Sequence, residues 1–235
     1  MVANKTLKRI IFNIAIPSAI AALILFGVIK PPSEENIIYG EAYYKNFADN
    51  AAYWFDLLGW GNETVYANVT AAKEILDHSY YIYEIGHGGY YSIKLKDGYI
   101  IAYRDIPHDR LPYNFIFMCS CDAMTKTGNY TWYSEFNKTG FKILLGYTGM
   151  GQDIDAWRHA YRWQNDFFGC LYDGYNFSYS FNHANSKYPS MSDNIKIFGN
   201  LSLTANDLTI PRYDLNNDAR VNVLDMIILS NHWTG

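Results

Sequence analysis

A histidine and a cysteine each follow a β-favouring apolar segment of the sequence. His87 comes shortly after residues 80–85, and Cys121 follows residues 114–118. A cysteine becomes a nucleophile when a nearby base removes its proton, and acyl transfer also needs donors for the developing oxyanion. Gly88 leaves the backbone N–H beside His87 unobstructed, and the N–H of Cys121 can be a second donor. Together these residues predict a thiol active site.

The order of elements along the chain predicts an α/β fold with a mostly parallel sheet. Strands alternate with helices from residue 37 to about residue 172, which is typical of sheets covered by helices on both faces. Ligands of such sheets bind outside the carboxyl ends of the strands. His87 and Cys121 lie at two such ends, so they share one edge if their strands are neighbours. We expect strands over residues 37–39, 80–85, 114–118, 142–146 and 195–198, an extended segment over 64–69 and a hairpin within 90–103. We expect helices over residues 47–58, 70–76 and 155–172, and Thr70 should cap the second of them.

Both segments resemble those of the caspase-like cysteine peptidases, a group that includes caspases, legumain, clostripain and gingipains. In that group one hydrophobic strand ends in His-Gly, and a second ends in a small residue followed by Cys. The resemblance implies that His87 is the catalytic histidine and that Gly88 donates to the oxyanion. It makes Cys121 the nucleophile, with Ser120 as the small residue before it.

The resemblance covers about residues 37–205. Residues 142–149 are similar to the strand after the nucleophile, and residues 197–201 are similar to the closing strand of the gingipain-like branch. It implies a caspase-like domain that hydrolyses a polypeptide substrate through an acyl-enzyme. Two alternatives keep the same residues: a transpeptidase, in which an amine replaces water, and a catalytically inactive homologue at the cell surface.

Cys119 is a rival nucleophile two residues before Cys121. Alternation along a strand places both thiols on the same face, so orientation alone does not separate them. The family's order, with Cys after the strand and a small residue, favours Cys121, and we expect Cys119 to be buried. With three cysteines in the chain, at least one thiol lacks an intramolecular partner. A zinc site is less favoured, because Cys-x-Cys is too tightly spaced and no second ligand pair accompanies it.

Two carboxylates are candidates for substrate binding. Asp153 and Asp155 lie in the loop of residues 149–157, and in this family the loop after the strand that follows the nucleophile lines part of the primary pocket. A carboxylate there could pair with a basic P1 side chain. The alternative, which we place first, is that both residues cap the helix that begins near Ala156.

The N-terminal segment predicts a membrane anchor. Residues 1–30 contain four basic residues and no acidic one, and residues 10–29 form an apolar run interrupted by Asn13, Pro17 and Ser18. A helix of that length spans about 30 Å, the thickness of the hydrocarbon core. Basic residues on the N-terminal side place the rest of the chain outside the cell. The alternative is a cleaved signal, which would release a secreted protein.

Charge and sequons agree with an exported protein. The formal net charge is −4, and the absence of a basic excess argues against nucleic-acid binding.

We divide the chain into the anchor at 1–30, a linker at 31–36, the peptidase domain at 37–205 and a short tail at 206–235. Acceptor sequons for glycosylation occur at Asn62, Asn68, Asn129, Asn137, Asn176 and Asn200.

The tail carries oxygen ligands at the spacing of a calcium-binding loop. Calcium needs a shell of oxygens from a tightly curled loop, and residues 214–225 offer side-chain oxygens at loop positions 1, 3, 5, 9 and 12 and a backbone carbonyl at position 7. The segment resembles one dockerin-type repeat, although Ala219 replaces the usual glycine and only one repeat is present. The resemblance implies a structural Ca²⁺ and a cohesin-like protein partner; no organic cofactor is expected. The predicted ligands are Asp214, Asn216, Asp218, the backbone carbonyl of Arg220, Asn222 and Asp225.

Overall fold

The computed structural model describes residues 35–61, 63–125, 128–149 and 153–209. The predicted membrane anchor and the predicted calcium loop lie outside these residues. Within them, no helix is both long and apolar enough to cross a bilayer.

The strands and helices alternate along the chain as the sequence predicts. The strands are β1 (Glu35–Tyr39), β2 (Glu63–Tyr66), β3 (Tyr81–Ile85), β4 (Ser92–Lys94), β5 (Tyr99–Ile101), β6 (Tyr113–Met118), β7 (Phe141–Tyr147) and β8 (Ile195–Gly199). The helices are α1 (Lys45–Leu58), α2 (Val69–His78), α3 (Ala102–Asp105), α4 (Trp132–Thr139), α5 (Ile154–Tyr172), α6 (Phe177–Lys187), α7 (Pro189–Ser192) and α8 (Ala205–Leu208). A short 3-10 turn, Ala42–Tyr44, precedes α1.

The main sheet has six strands in the order β2-β1-β3-β6-β7-β8. Its first five strands are parallel, and β8 runs antiparallel to β7. Strands β4 and β5 form a separate antiparallel hairpin. The prediction of an α/β fold with a mostly parallel sheet is therefore confirmed.

Alternating residues of the central strands pack against helices on opposite faces of the sheet. On one face, Phe117 contacts Tyr83, and it also packs against Trp163 and Phe168 of α5. On the other face, Ile82 and Ile116 belong to an apolar cluster with residues of α2, the hairpin and α4. Because β3 and β6 are buried along their whole length, their position is fixed from both sides.

Two predictions about local structure are wrong. Thr70 does not cap α2, because the helix begins at Val69 and the side chain of Asn68 accepts the Ala71 N–H instead. The segment predicted as extended over residues 64–69 is a strand only as far as Tyr66, because the helix already begins at Val69. Helices α4 and α6 were not predicted from the sequence, because each begins in a run of polar and aromatic residues without a clear apolar stripe.

Candidate active site

Strands β3 and β6 are neighbours and end at the same edge of the sheet. Glu84 pairs with Met118 at the end of the parallel ladder, so the turns that follow the two strands leave the sheet side by side. One turn carries His87 and Gly88, and the other carries Cys121. The two strands are therefore neighbours, which is the condition under which His87 and Cys121 share one edge of the sheet.

The two turns touch at Gly88. An added Cβ at this glycine would lie 2.9 Å from the Cβ of Ser120 and 2.6 Å from the carbonyl oxygen of Ser92. Only a residue without a side chain permits this approach. Within the described part of the chain, the Gly88 N–H donates to no other residue, and the Cys121 N–H bonds only its own thiol.

The His87 ring is held by two residues that precede α1. Its Nε2 lies 2.6 Å from the Tyr43 hydroxyl and 3.3 Å from a carboxylate oxygen of Glu41. The Tyr43 hydroxyl donates its proton to Glu41 at 2.6 Å, so it must accept from Nε2–H of the imidazole. This hydrogen-bond assignment leaves Nδ1 of His87 as the basic atom.

Glu41 supplies negative charge on the far side of the imidazole. Hydrogen bonds from Tyr43 and Lys94, together with the charge of His87, lower the pKa of this carboxyl despite some burial. The Lys94 ammonium lies 3.1 Å from its second oxygen. Glu41 is therefore ionised at neutral pH.

Tyr44 connects His87 to the region around Cys121. Its ring is buried and meets the His87 ring edge-on, with centroids 5.8 Å apart. It also stacks on Trp157 of α5 at 6.3 Å. Burial, then the hydrogen bond with Tyr43, raises the pKa of Tyr44, and the nearby Cys121 adds to this effect. The phenol therefore stays protonated beside the thiol.

Cys121 is a free, half-buried thiol. Burial raises its pKa first, and the charges of Asp122 and Glu84 raise it further, against its own backbone hydrogen bond. The next residue, Asp122, has a φ of 57°, in the left-handed region, so the chain turns sharply after the thiol. No hydrogen bond joins Cys121 to His87 among the described residues, and catalytic contacts of this kind often form only with substrate bound.

Cys119 lies inside the protein, as expected. It is fully buried, and burial raises the pKa of its thiol well above the usual range. Its thiol lies near the buried hydroxyls of Tyr83 and Tyr147. A thiol in this position is not exposed to a substrate, whereas Cys121 is. All three cysteines, including Cys170, are free.

Glu84 is a buried acid at the site that sequence reasoning missed. Its side chain is almost fully buried, and Ser120 donates to it through both its hydroxyl, at 2.7 Å, and its backbone N–H, at 3.3 Å. Burial raises the pKa of Glu84 to about 7, against the hydrogen bonds from Ser120. The signal in the sequence was an acidic residue inside the otherwise apolar and aromatic run of residues 80–85.

The two predicted substrate-binding carboxylates already have partners. Asp153 is the N-cap of α5, with one oxygen accepting the N–H groups of Asp155 and Ala156 and the other accepting from Asn194. Asp155 is exposed and pairs with Arg158 at 3.0 Å. The expectation of a helix cap is confirmed for Asp153, whereas Asp155 lies in the first turn of α5 and does not cap it. Binding of a basic substrate side chain stays a prediction.

The predicted calcium ligands are not part of the described chain. Asp214, Asn216, Asp218, Arg220, Asn222 and Asp225 all lie beyond residue 209. Within the ranges that the structure describes, no group of three or more His, Cys, Asp or Glu side chains could hold a metal ion.

Comparison with known proteins finds no family model and no curated protein that matches this chain.

Proposed function

We propose that this chain is a caspase-like cysteine endopeptidase that uses His87 and Cys121 through an acyl-enzyme. The observation that carries the proposal is the contact between the two turns, in which Gly88 packs on Ser120 at the end of neighbouring strands. That contact supports the proposal, because the turn with His87 and Gly88 lies against the turn with Cys121 at one edge of the sheet.

The first half of the reaction acylates the thiol. Nδ1 of His87 takes the proton of Cys121, and the sulfur forms a bond to the scissile carbonyl carbon while the π pair moves to the oxygen. The N–H groups of Gly88 and Cys121 stabilise that oxyanion. When the pair returns, the C–N bond breaks, and the His87 imidazolium gives its proton to the leaving amine.

The second half releases the product. His87 takes a proton from a water molecule, whose oxygen forms a bond to the thioester carbon. The C–S bond then breaks, and the thiol regains its proton from His87. The charge of Glu41 and the hydrogen bond of Tyr43 keep the imidazolium oriented while it exists. With an amine in place of water, the same groups would perform transpeptidation.

The second candidate function is that of an inactive surface protein whose dockerin-like tail binds a partner. Two observations favour an inactive protein: no hydrogen bond joins His87 to Cys121 among the described residues, and burial raises the pKa of the Cys121 thiol. Thiol reactivity separates the two functions, because an active nucleophile reacts faster with a peptide electrophile than with a small alkylating agent of equal reactivity.

We further propose that residues 10–29 anchor the protein, with the peptidase domain outside the cell, and that residues 214–225 bind one structural Ca²⁺. Protection of the domain from added protease in intact cells would contradict the topology. Calorimetry on the full chain at millimolar calcium tests the loop, since extracellular sites bind at about 10⁻⁴ to 10⁻³ M. No binding heat, or a response unchanged by Asp218→Ala, would rule the site out.

The direct test of the nucleophile is covalent labelling with an electrophilic peptide. We expect Cys121→Ala to abolish labelling and Cys119→Ala to preserve it, because Cys121 is partly exposed whereas Cys119 is buried. The reverse result would move the nucleophile to Cys119, and absence of labelling in the unmodified chain would contradict a thiol peptidase.

A further inference from the structure

We propose that Glu84 is a positioning residue that acts on Cys121 through Ser120. The inference rests on the proposed function, since it concerns the thiol that this function uses. Both hydrogen-bond donors of Ser120 point at the Glu84 carboxyl, at 2.7 Å from the hydroxyl and 3.3 Å from the backbone N–H. Because Ser120 directly precedes Cys121, these bonds fix the start of the turn that presents the sulfur and its N–H.

Glu84 also lies beneath the turn that carries His87. One of its carboxyl oxygens is 3.2 Å from the position that a Cβ at Gly86 would take. Ser120, which it holds, is the residue that packs against Gly88. A single buried carboxyl thus contacts both of the turns that form the proposed site.

The cavity beside the Glu84 carboxyl is lined by apolar side chains. The adjoining cavity measures only about 10 Å³, at the lower limit for one water molecule. The titratable groups near enough to feel its charge are the thiols of Cys119 and Cys121 and the phenols of Tyr83 and Tyr147, and no basic side chain within the described ranges acts on it. The apolar side chains around the cavity include Ile38, Ala72, Leu76, Ile93, Ile100 and Met118.

The protonation state of Glu84 is coupled to that of Cys121. An ionised Glu84 accepts both bonds from Ser120, but its charge disfavours the thiolate and so raises the pKa of Cys121. A protonated Glu84 keeps a hydrogen bond to Ser120 without that charge. Because burial raises the pKa of Glu84 to about 7, both forms are populated at neutral pH, and the ionised form adds to the raised pKa of Cys121.

The experiment is the pH dependence of Cys121 alkylation by iodoacetamide in the full chain, measured from pH 5 to 10 by peptide mass spectrometry. The mapping separates Cys121 from the other two cysteines. Glu84→Gln removes the charge and keeps the shape and a hydrogen bond. The matched control is Glu135→Gln, since Glu135 is equally buried but has other partners. It pairs with Lys138 of α4 and with His108, which follows α3.

We expect Glu84→Gln to shift the midpoint of Cys121 alkylation down by about half a pH unit, which makes the reaction roughly three-fold faster at pH 8. The wild-type curve should be broadened by a component near pH 7, and that component should disappear in Glu84→Gln. Glu135→Gln should leave the curve unchanged. A Glu84→Gln curve identical to the wild type would overturn the proposal.

If Glu84→Gln does not fold, a second variant tests the same proposal. Ser120→Ala removes the hydroxyl that lowers the pKa of Glu84, so the component near pH 7 should move to higher pH. An unchanged component in folded Ser120→Ala would also overturn the proposal. Failure of the proposed function would give a different result. The wild-type protein would then cleave no peptide, whatever the shape of its alkylation curve.

Discussion

At the scale of single residues, His87 is held on its Nε2 side, which leaves Nδ1 for the thiol. Tyr43 and Glu41 perform this role from the 3-10 turn before α1 and the residue that precedes it. A base needs such an orienting partner, because a freely rotating imidazole presents the wrong nitrogen for part of the time. In the proposed reaction, the Glu41 carboxylate lies 3.3 Å from Nε2 of the imidazole that takes the proton.

Removing either partner should slow catalysis without unfolding the protein. We expect Glu41→Gln and Tyr43→Phe each to lower kcat by about ten- to a hundred-fold, with a smaller effect on KM, because orientation and charge matter most once the imidazolium forms. Peptide hydrolysis rates measure this. Asp49→Asn, which removes an exposed carboxylate paired with Lys45, is the control and should keep the wild-type kcat; equal kcat in all the variants would exclude an orienting role.

The sequence predicted His87, Gly88, Ser120 and Cys121 as neighbours because each follows a strand and the strands alternate with helices. It did not predict Glu41 or Tyr43. Their link to His87 joins residues 44 positions apart, and it depends on a short 3-10 turn whose shape no local pattern specifies. Glu84 was missed for a related reason, since a buried acid is recognisable only when its partner Ser120 is known.

At the scale of elements, the site depends on how closely the turn after β3 approaches the turn after β6. Gly88 sits at the contact, whereas an added Cβ at Gly89 would meet nothing within 4 Å. The two adjacent glycines therefore form a matched pair for testing this approach.

Gly88→Ala should lower the free energy of unfolding by about 1–3 kcal/mol, because the new methyl group forces the turns apart. It should also slow peptide hydrolysis, since the donors for the oxyanion separate. Gly89→Ala should change neither quantity much. Chemical denaturation and hydrolysis rates measure the pair, and a Gly88→Ala protein as stable and active as Gly89→Ala would contradict the packing.

The start of helix α5 shows why the acidic loop had two interpretations. Asp153 uses both oxygens within the protein, whereas Asp155 makes only an exposed pair. The N-cap of α5 could be predicted from the sequence. The N-cap of α2 could not, because Asn68 competes with Thr70 for that position. The sequons at Asn68 and Asn176 coincide with helix N-caps, so asparagine at these positions has a structural use as well.

Asp153→Ala should reduce the free energy of unfolding by about 1 kcal/mol, the usual loss for a removed N-cap. Asp155→Ala should cost less than about 0.5 kcal/mol, as exposed pairs contribute little. Denaturation curves give both values. We expect neither change to alter the residue preference of peptide cleavage; a preference for basic residues that is lost in either variant would assign that residue to substrate binding.

At the scale of the whole molecule, the buried Glu84 makes folding stability depend on pH. Burial raises its pKa to about 7 in the folded protein, whereas an unfolded glutamate titrates near about 4.3. The folded state therefore holds the proton more tightly. The stability due to this proton is complete below the unfolded pKa and is lost as the pH rises through the folded pKa.

We expect this group alone to lower the free energy of unfolding by about 3 kcal/mol between pH 4 and pH 8. Asp105 does not obscure the window: burial opposes its ionisation, but bonds from Arg104 and Lys73 bring its pKa to about 2, so it titrates at lower pH. Urea unfolding at pH 5 and pH 8 tests the effect. The loss should be smaller in Glu84→Gln by most of this amount; the same loss in both proteins would contradict it.

The central claim is that Cys121 and His87 form a peptidase, and peptide cleavage tests it most directly. The full chain, with calcium, is incubated with a mixed peptide library, and the products are mapped by mass spectrometry. We predict cleavage by the wild type and by Cys119→Ala, and none by Cys121→Ala or His87→Ala. Cleavage that persists in folded Cys121→Ala, or a wild-type protein that cleaves nothing, would contradict the account.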